Sequence, residues 1–104
     1  MTTFDLVYEK VKQIPLGKVT TYGEIARVIG ISNPRVVGYA LHANKQFIKV
    51  PCHRVVAKDG GLAKAFAFGG DDIQKQLLEN EGVEFVDNKV NMEKCFYSFK
   101  QIWK

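Results

Sequence analysis

Pro51-Cys52-His53-Arg54 sets a nucleophile, a base and a cation in consecutive positions behind a ring that stiffens the chain. Proline fixes its own φ and pushes Val50 toward an extended shape, so Cys52 is expected at a rigid corner. Thiolate is the reactive form of cysteine, and an unperturbed thiol, with a pKa of about 8.5, is mostly protonated at neutral pH. A histidine that accepts the thiol proton, itself held by a carboxylate, supplies the missing activation. Neighbours on a straight strand face opposite ways, so His53 can assist Cys52 only where the chain bends or a water links them. Glu81, near the end of a helical stretch with Leu77 and Leu78, is available as the carboxylate. The competing role for Cys52 is that of a small buried hydrophobe; its neighbours favour the reactive one. Cys95, among Lys94, Phe96 and Tyr97, reads as structural. The two cysteines form no Cys-x-x-Cys pair and have no zinc-ligand spacing with His42 or His53, so neither metal nor cofactor is expected.

The elements that must position these residues are short. Thr2-Thr3-Phe4-Asp5 resembles a capping box and opens a helix through Phe4, Val7, Val11 and Ile14, ended by Pro15. Thr21-Tyr22-Gly23-Glu24 is a second capping box, opening a helix that Gly30 closes. Asn33-Pro34 supplies a cap with proline at the first helical position, and a third helix is expected from about Arg35 to Ala43. Two short helices across a tight turn make a helix-turn-helix. At roughly 100° per residue, Arg35, Gly38, Tyr39 and His42 share one side of the third helix. That side holds no acid, and the missing side chain of Gly38 permits close approach to a groove; it suits nucleic acid, or is simply solvated. Val37, Ala40, Leu41 and Asn44 fall on the core side, where the Asn44 amide must find partners and can brace the following loop. Val55-Val56-Ala57 is β-like, Asp59-Gly60-Gly61 a turn, and Ala65 to Gly70 a loop with aromatics. Asp71 or Asp72 should cap a helix containing Ile73, Leu77 and Leu78 that ends at Glu81-Gly82. Residues 83–86 and 89–90 should pair as a hairpin across Asp87-Asn88. Phe96, Phe99 and Trp103 share a helical face, predicting a packed terminal helix.

With 104 residues, 46% hydrophobic and 25% charged, the chain is expected to form one globular domain over 1–104, its core spanning about 4–86 and its tail 87–104. No stretch approaches the roughly 20 apolar residues of a membrane span, and the first residues lack a secretory signal, so a cytoplasmic protein is expected; a monomer is expected as well. Fifteen Lys and Arg against eleven Asp and Glu give a net charge of +4, which suits a polyanion without requiring one.

Pro51-Cys52-His53-Arg54-Val55-Val56 resembles the active-site signature of the O6-alkylguanine-DNA alkyltransferases, and the order of elements from Phe4 to Phe85 is similar too. The resemblance implies a small winged-helix-like α/β domain with a helix-turn-helix and short β elements. Its implied partner is double-stranded DNA, approached from the minor groove, with an alkylated guanine flipped out of the stack. Cys52 would accept the alkyl group permanently, with His53 as base through a water, Glu81 orienting that histidine and Asn44 bracing the segment. Tyr22 would crowd the target phosphate and protonate the departing guanine, while Arg35 would fill the gap left by the flipped nucleotide. Gly38, Tyr39, His42 and Arg54 complete the expected DNA-facing set. In the loop opposite the cysteine this family usually has a tyrosine and a small polar residue. Here Phe66-Ala67 stands there, able to stack on a base but with no hydroxyl to donate. Many members carry a further amino-terminal domain, for which 104 residues leave no room. Alkyltransferase-like proteins share the compact build, replace the acceptor cysteine, and bind the lesion without transfer, recruiting other repair factors. Lesion binding alone, and sequence-specific regulation through the major groove, are therefore the rival readings.

Overall fold

The computed structural model describes residues 2–45, 49–63 and 69–99. Helix α1 (Thr3–Val11) starts at a complete capping box: Thr2 Oγ1 accepts from the Asp5 N–H and Asp5 Oδ2 from the Thr2 N–H. It ends earlier than the Phe4–Ile14 spacing predicts. The N–H groups of Gln13 and Ile14 bond three residues back, tightening the chain, because proline disfavours a helical residue before it. Ile14 is nonetheless buried with Val7 and Val11.

Strand β1 (Thr20–Thr21) runs straight into α2 (Tyr22–Ile29), which ends at Gly30 with φ +82°. Only half of the second capping box forms. Thr21 Oγ1 accepts from the Glu24 N–H, but the Glu24 carboxylate turns to Arg27 and to Ser98 and Phe99 of the tail. Helix α3 (Arg35–Ala43) follows, with Pro34 immediately before its assigned start rather than inside it. The cap chemistry is the expected one all the same, since Asn33 Oδ1 accepts from the Arg35 N–H. Helices α1, α2 and α3 pack on one another around Val7, Val11, Ile25, Val37 and Ala40.

A short 3-10 turn, Cys52–Arg54, leads into β2 (Val55–Val56), which pairs in parallel with β1, Thr20 opposite Val55. The turn at Asp59-Gly60-Gly61 then presses against the hairpin of β3 (Phe85–Val86) and β4 (Lys89–Val90). Asp87 and Asn88 both take positive φ, 53° and 65°, as a two-residue hairpin turn of this hand requires. Between them lies α4 (Gly70–Asn80). Neither Asp71 nor Asp72 caps it: Gly69 occupies the cap, and the two acids sit in the first turn, where a carboxylate still favours the helix dipole. Its buried face is Gln74 and Leu78, while Ile73 is partly exposed.

The expected terminal helix through Phe96 and Phe99 is not formed. Helix α5 (Met92–Cys95) stops at Phe96, and the chain runs on extended beside β1. The Val19 N–H donates to the Cys95 carbonyl, the Tyr97 N–H to that of Val19, and the Thr20 hydroxyl to that of Tyr97. An unpaired strand edge offered these partners, and that outweighed a helical spacing of aromatics. Trp103 lies outside the described residues. The class stands as expected: helices and a small sheet in one compact fold, with a helix-turn-helix and a β hairpin.

Gly60 is where this arrangement is tightest. At φ +88°, an added Cβ would lie 2.5 Å from the Val90 carbonyl oxygen. Gly60→Ala is therefore expected to lower the stability by roughly 3 kcal/mol, from strain and overpacking together. Urea denaturation checks this; a loss under about 1 kcal/mol would contradict the packing described.

Candidate active site

Pro51 takes φ −76° and ψ 71°, and the Cys52 N–H reaches back to the Val50 carbonyl at 2.8 Å, forming an inverse γ-turn. The 3-10 turn then closes through the Arg54 N–H on the Pro51 carbonyl. Cys52 and His53 therefore sit on a bend, which removes the opposition a straight strand would impose. Both are 3% exposed.

Burial pushes the Cys52 thiol above its usual pKa, and hydrogen bonding with the Asn44 side chain and the cysteine's own backbone offsets this in part. Asn44 ends α3, is buried, and donates from Nδ2 to the Val50 carbonyl at 3.0 Å. It braces the cysteine segment as expected. One residue that sequence reasoning missed supports it. The Asn44 N–H bonds to Leu41, not Ala40, and the Tyr8 hydroxyl donates to the Ala40 carbonyl at 2.7 Å. Tyr8, in a helix read only for its aliphatic stripe, left no sequence signal of this contact. Asn44 and Tyr8 also line a cavity of about 450 Å³ with Val50 and Lys45.

His53 Nε2 stands 2.8 Å from Glu81 Oε2, the pairing expected. Burial holds His53 below the usual histidine range despite the carboxylate beside it. Burial works to raise Glu81 as well, but hydrogen bonds from Arg54 and His53 leave it below the ordinary glutamate value. Neutral imidazole facing carboxylate is thus the form at neutral pH. Arg54 corrects an expectation. Its guanidinium grips Glu81 through Nε and Nη2 and the Ile14 carbonyl through Nη1, so it faces inward, not toward a partner. The bidentate match of a planar guanidinium to a carboxylate accounts for this.

Gln74 is the second residue missed. It is 1% exposed; its Oε1 accepts from the Ala63 N–H, and its Nε2 donates to the carbonyls of His53 and Val55. Its spacing four residues before Leu78, on the face that must be core, was the available signal.

The residues expected to face a partner divide. Tyr22, Arg35, Gly38 and Tyr39 line one open cavity of about 400 Å³ with Pro34, and Tyr22 and Pro34 also border a cleft of about 770 Å³ reaching Arg27, Lys58 and Phe96. Arg35, Tyr39 and His42 are exposed. A Cβ on Gly38 would meet nothing within 4 Å, so packing inside the chain does not demand glycine there. Burial, and then the charge Cys52 carries when ionised, push the Tyr22 hydroxyl up, which keeps its proton available for donation. Phe66 and Ala67 lie outside the described residues. Chemically, a polarised buried thiol, a neutral imidazole braced by an acid and a protonated phenol stand close to an exposed, acid-free helix face.

Two outcomes follow for stability. Unfolded His53 takes up its proton first as pH falls below about 6.5, so stability should drop from there downward. Glu81 adds a further loss as pH falls below its usual 4.5 through its lowered folded value. Glu81→Gln should cost about 2 kcal/mol at pH 7.5, by stranding Arg54, and flatten the lower part of this profile. Denaturant titrations from about pH 8 down to about pH 2.5 measure both; stability rising on acidification would contradict them.

A model of the family described as 6-O-methylguanine DNA methyltransferase, DNA binding domain, matches residues 2–83. Alkyltransferase-like protein 1 of Schizosaccharomyces pombe is 47% identical over 79 residues, covering 75% of this chain and 73% of that protein. The methylated-DNA–protein-cysteine methyltransferase of Metallosphaera sedula is 42% identical over 78 residues, 73% of this chain; the chain spans about half the length of such methyltransferases, 46% in this case. Among solved structures, S. pombe Atl1 in complex with damaged DNA containing O6-carboxymethylguanine has a TM-score of 0.79 and 39% identity, covering 94% of both chains. The Mycobacterium tuberculosis O6-methylguanine methyltransferase has a TM-score of 0.69 and 38% identity, covering 78% of this chain and 48% of that one. With the cysteine turn, its histidine–glutamate pair and these relatives in agreement, the chain belongs to the family of O6-methylguanine-DNA methyltransferase DNA-binding domains, whose relatives here include both methyltransferases and an alkyltransferase-like protein.

Proposed function

We propose that the protein binds double-stranded DNA as a monomer in the cytoplasm, enters the minor groove with α3, and moves the alkyl group of an everted O6-alkylguanine irreversibly onto Cys52. The observation that carries the reading is a cysteine sulfur braced by Asn44 at a bend shared with a His53–Glu81 pair. Eversion is a physical requirement, since the alkyl carbon lies on a base edge inside the stack; the lesion lowers the cost because it weakens pairing.

In the reaction the thiol proton leaves toward His53 by way of a water, and the sulfur attacks the alkyl carbon. The carbon–sulfur bond forms as the carbon–O6 bond breaks, its electron pair staying with guanine. Tyr22 protonates the departing base, and the proton held at His53 restores the balance. The product is a thioether, so one molecule repairs one lesion. Tyr39, Gly38 and His42 follow the groove, and Arg35 fills the space the nucleotide leaves.

A second reading is favoured by two observations: the similarity to alkyltransferase-like protein 1, and burial that holds the Cys52 proton on. In that reading the protein everts and holds the lesion without transfer and recruits repair factors.

Incubation with duplex DNA containing O6-methylguanine followed by intact-mass measurement separates them. A single added methyl group is expected, absent in Cys52→Ala; tight lesion binding with unchanged mass supports the second reading and overturns the first. With transfer in hand, Arg35→Ala should slow repair in duplex DNA about tenfold or more while leaving the reaction with a free O6-alkylguanine base within about twofold. Equal loss on both substrates would remove the flipping role. The transfer rate should stay level between about pH 7 and 8 and fall only on acidification below the ordinary histidine value of 6.5, as His53 takes a proton.

A further inference from the structure

The activation described needs the His53 ring to stay against Glu81 inside the protein. One hydrogen bond to Glu81 cannot ensure this, because the backbone of a three-residue turn has few hydrogen bonds of its own. Two contacts to the same histidine come from one helix. Glu81 meets its ring at the end of α4, and Gln74, roughly two turns earlier, meets its carbonyl. The same Nε2 reaches the Val55 carbonyl on the far side of the turn, while Oε1 holds the Ala63 N–H. A glutamine buried to 1% exposure costs free energy unless each of its polar atoms is satisfied, and here both are.

An aliphatic residue beside Leu78 would fill the same space at lower cost, so the amide is there for its bonds. Those bonds all end on the segments that carry Cys52 and His53 or follow from them.

We infer that Gln74 is a positioning residue for the Cys52 chemistry: by holding the His53 and Val55 carbonyls to α4, it sets the backbone from which His53 meets Glu81. It touches neither the sulfur nor any substrate. Without it, the turn keeps its γ-turn and its parallel strand but loses the tether that keeps the imidazole inward. His53 then moves toward water and Glu81 is left to Arg54.

The test reads the histidine itself, before any DNA is added. The chain has two histidines, so the imidazole signals of uniformly labelled protein are followed by NMR against pH and assigned with His42→Ala. Gln74→Met, close in volume and without donors, is compared with Leu78→Ala, a core loss on the same helix, in the cluster with Val56 and Val83, that removes no side-chain hydrogen bond to the turn. The expected result is a His53 titration that moves up by about half a pH unit or more in Gln74→Met, toward the solvent-exposed value, and stays in place in Leu78→Ala. An unmoved His53 in Gln74→Met, or the same movement in both variants, would overturn the assignment. Gln74→Glu keeps the acceptor for Ala63 and, when ionised, has no N–H to give, so it repeats the test if the methionine variant does not fold. The kinetic arm rests on the transfer reading. There, the first-order transfer rate should fall about tenfold in Gln74→Met while lesion-DNA affinity stays within about twofold. A wild-type protein that does not alkylate itself would sink the transfer reading and leave the NMR result to decide on Gln74. An unchanged rate beside a shifted histidine would deny Gln74 its part in the chemistry.

Discussion

A thiol shut away from water holds its proton more tightly, and the geometry of this protein answers that one constraint. Cys52 lies in the main core cluster with Val50 and Val55, where desolvation disfavours the anion that the chemistry needs. Among the described residues no cation acts on the sulfur to reverse this, and Arg54 is bonded to Glu81 instead. What the protein supplies is gentler: an amide bonded to the thiol, and a neutral imidazole braced by an acid on the same bend. The result is a thiol that keeps its proton, and on the proposed transfer reading this suits a single-use acceptor, for which any stray reaction is a permanent loss.

The second demand is that a buried centre be addressed by an exposed face. Tyr22 is the joint. It begins α2 directly after β1, whose partner β2 continues from the cysteine turn, so the sheet fixes the tyrosine relative to the sulfur. The tail reinforces the joint from outside. The Glu24 carboxylate gathers the Phe99 N–H, the Ser98 hydroxyl and Arg27, and Arg27 also reaches the Phe99 carbonyl. Phe99 is itself buried in the core under Lys10.

Much of this was legible in the residues. Capping chemistry located the starts of α1, α2 and α3, glycine the end of α2, and Asp87-Asn88 the hairpin, because these signals act within a few residues of themselves. Cys52, His53, Glu81 and Asn44 were picked out by their chemistry and given full roles by resemblance, and the fold brings them together. Long-range competition is what stayed hidden. Arg54 read as a free cation because its partners, Glu81 and Ile14, are distant in sequence. Phe96 and Phe99 read as a helix face because nothing local revealed the open edge of β1. Gln74 drew no notice because glutamine is usually exposed, although its spacing to Leu78 pointed inward. Tyr39 and His42 show the opposite case: their exposure was predicted by the helix period alone.

The most direct measurement is the ionisation of Cys52 in the free protein. With cysteine labelled at Cβ, carbon NMR follows both thiols separately through a pH titration, and Cys52→Ser identifies its signal. A desolvated thiol balanced only by hydrogen bonds should ionise above the ordinary value of 9.0. A midpoint below neutrality would mean a thiolate stabilised by charge that this geometry does not contain, and would contradict it.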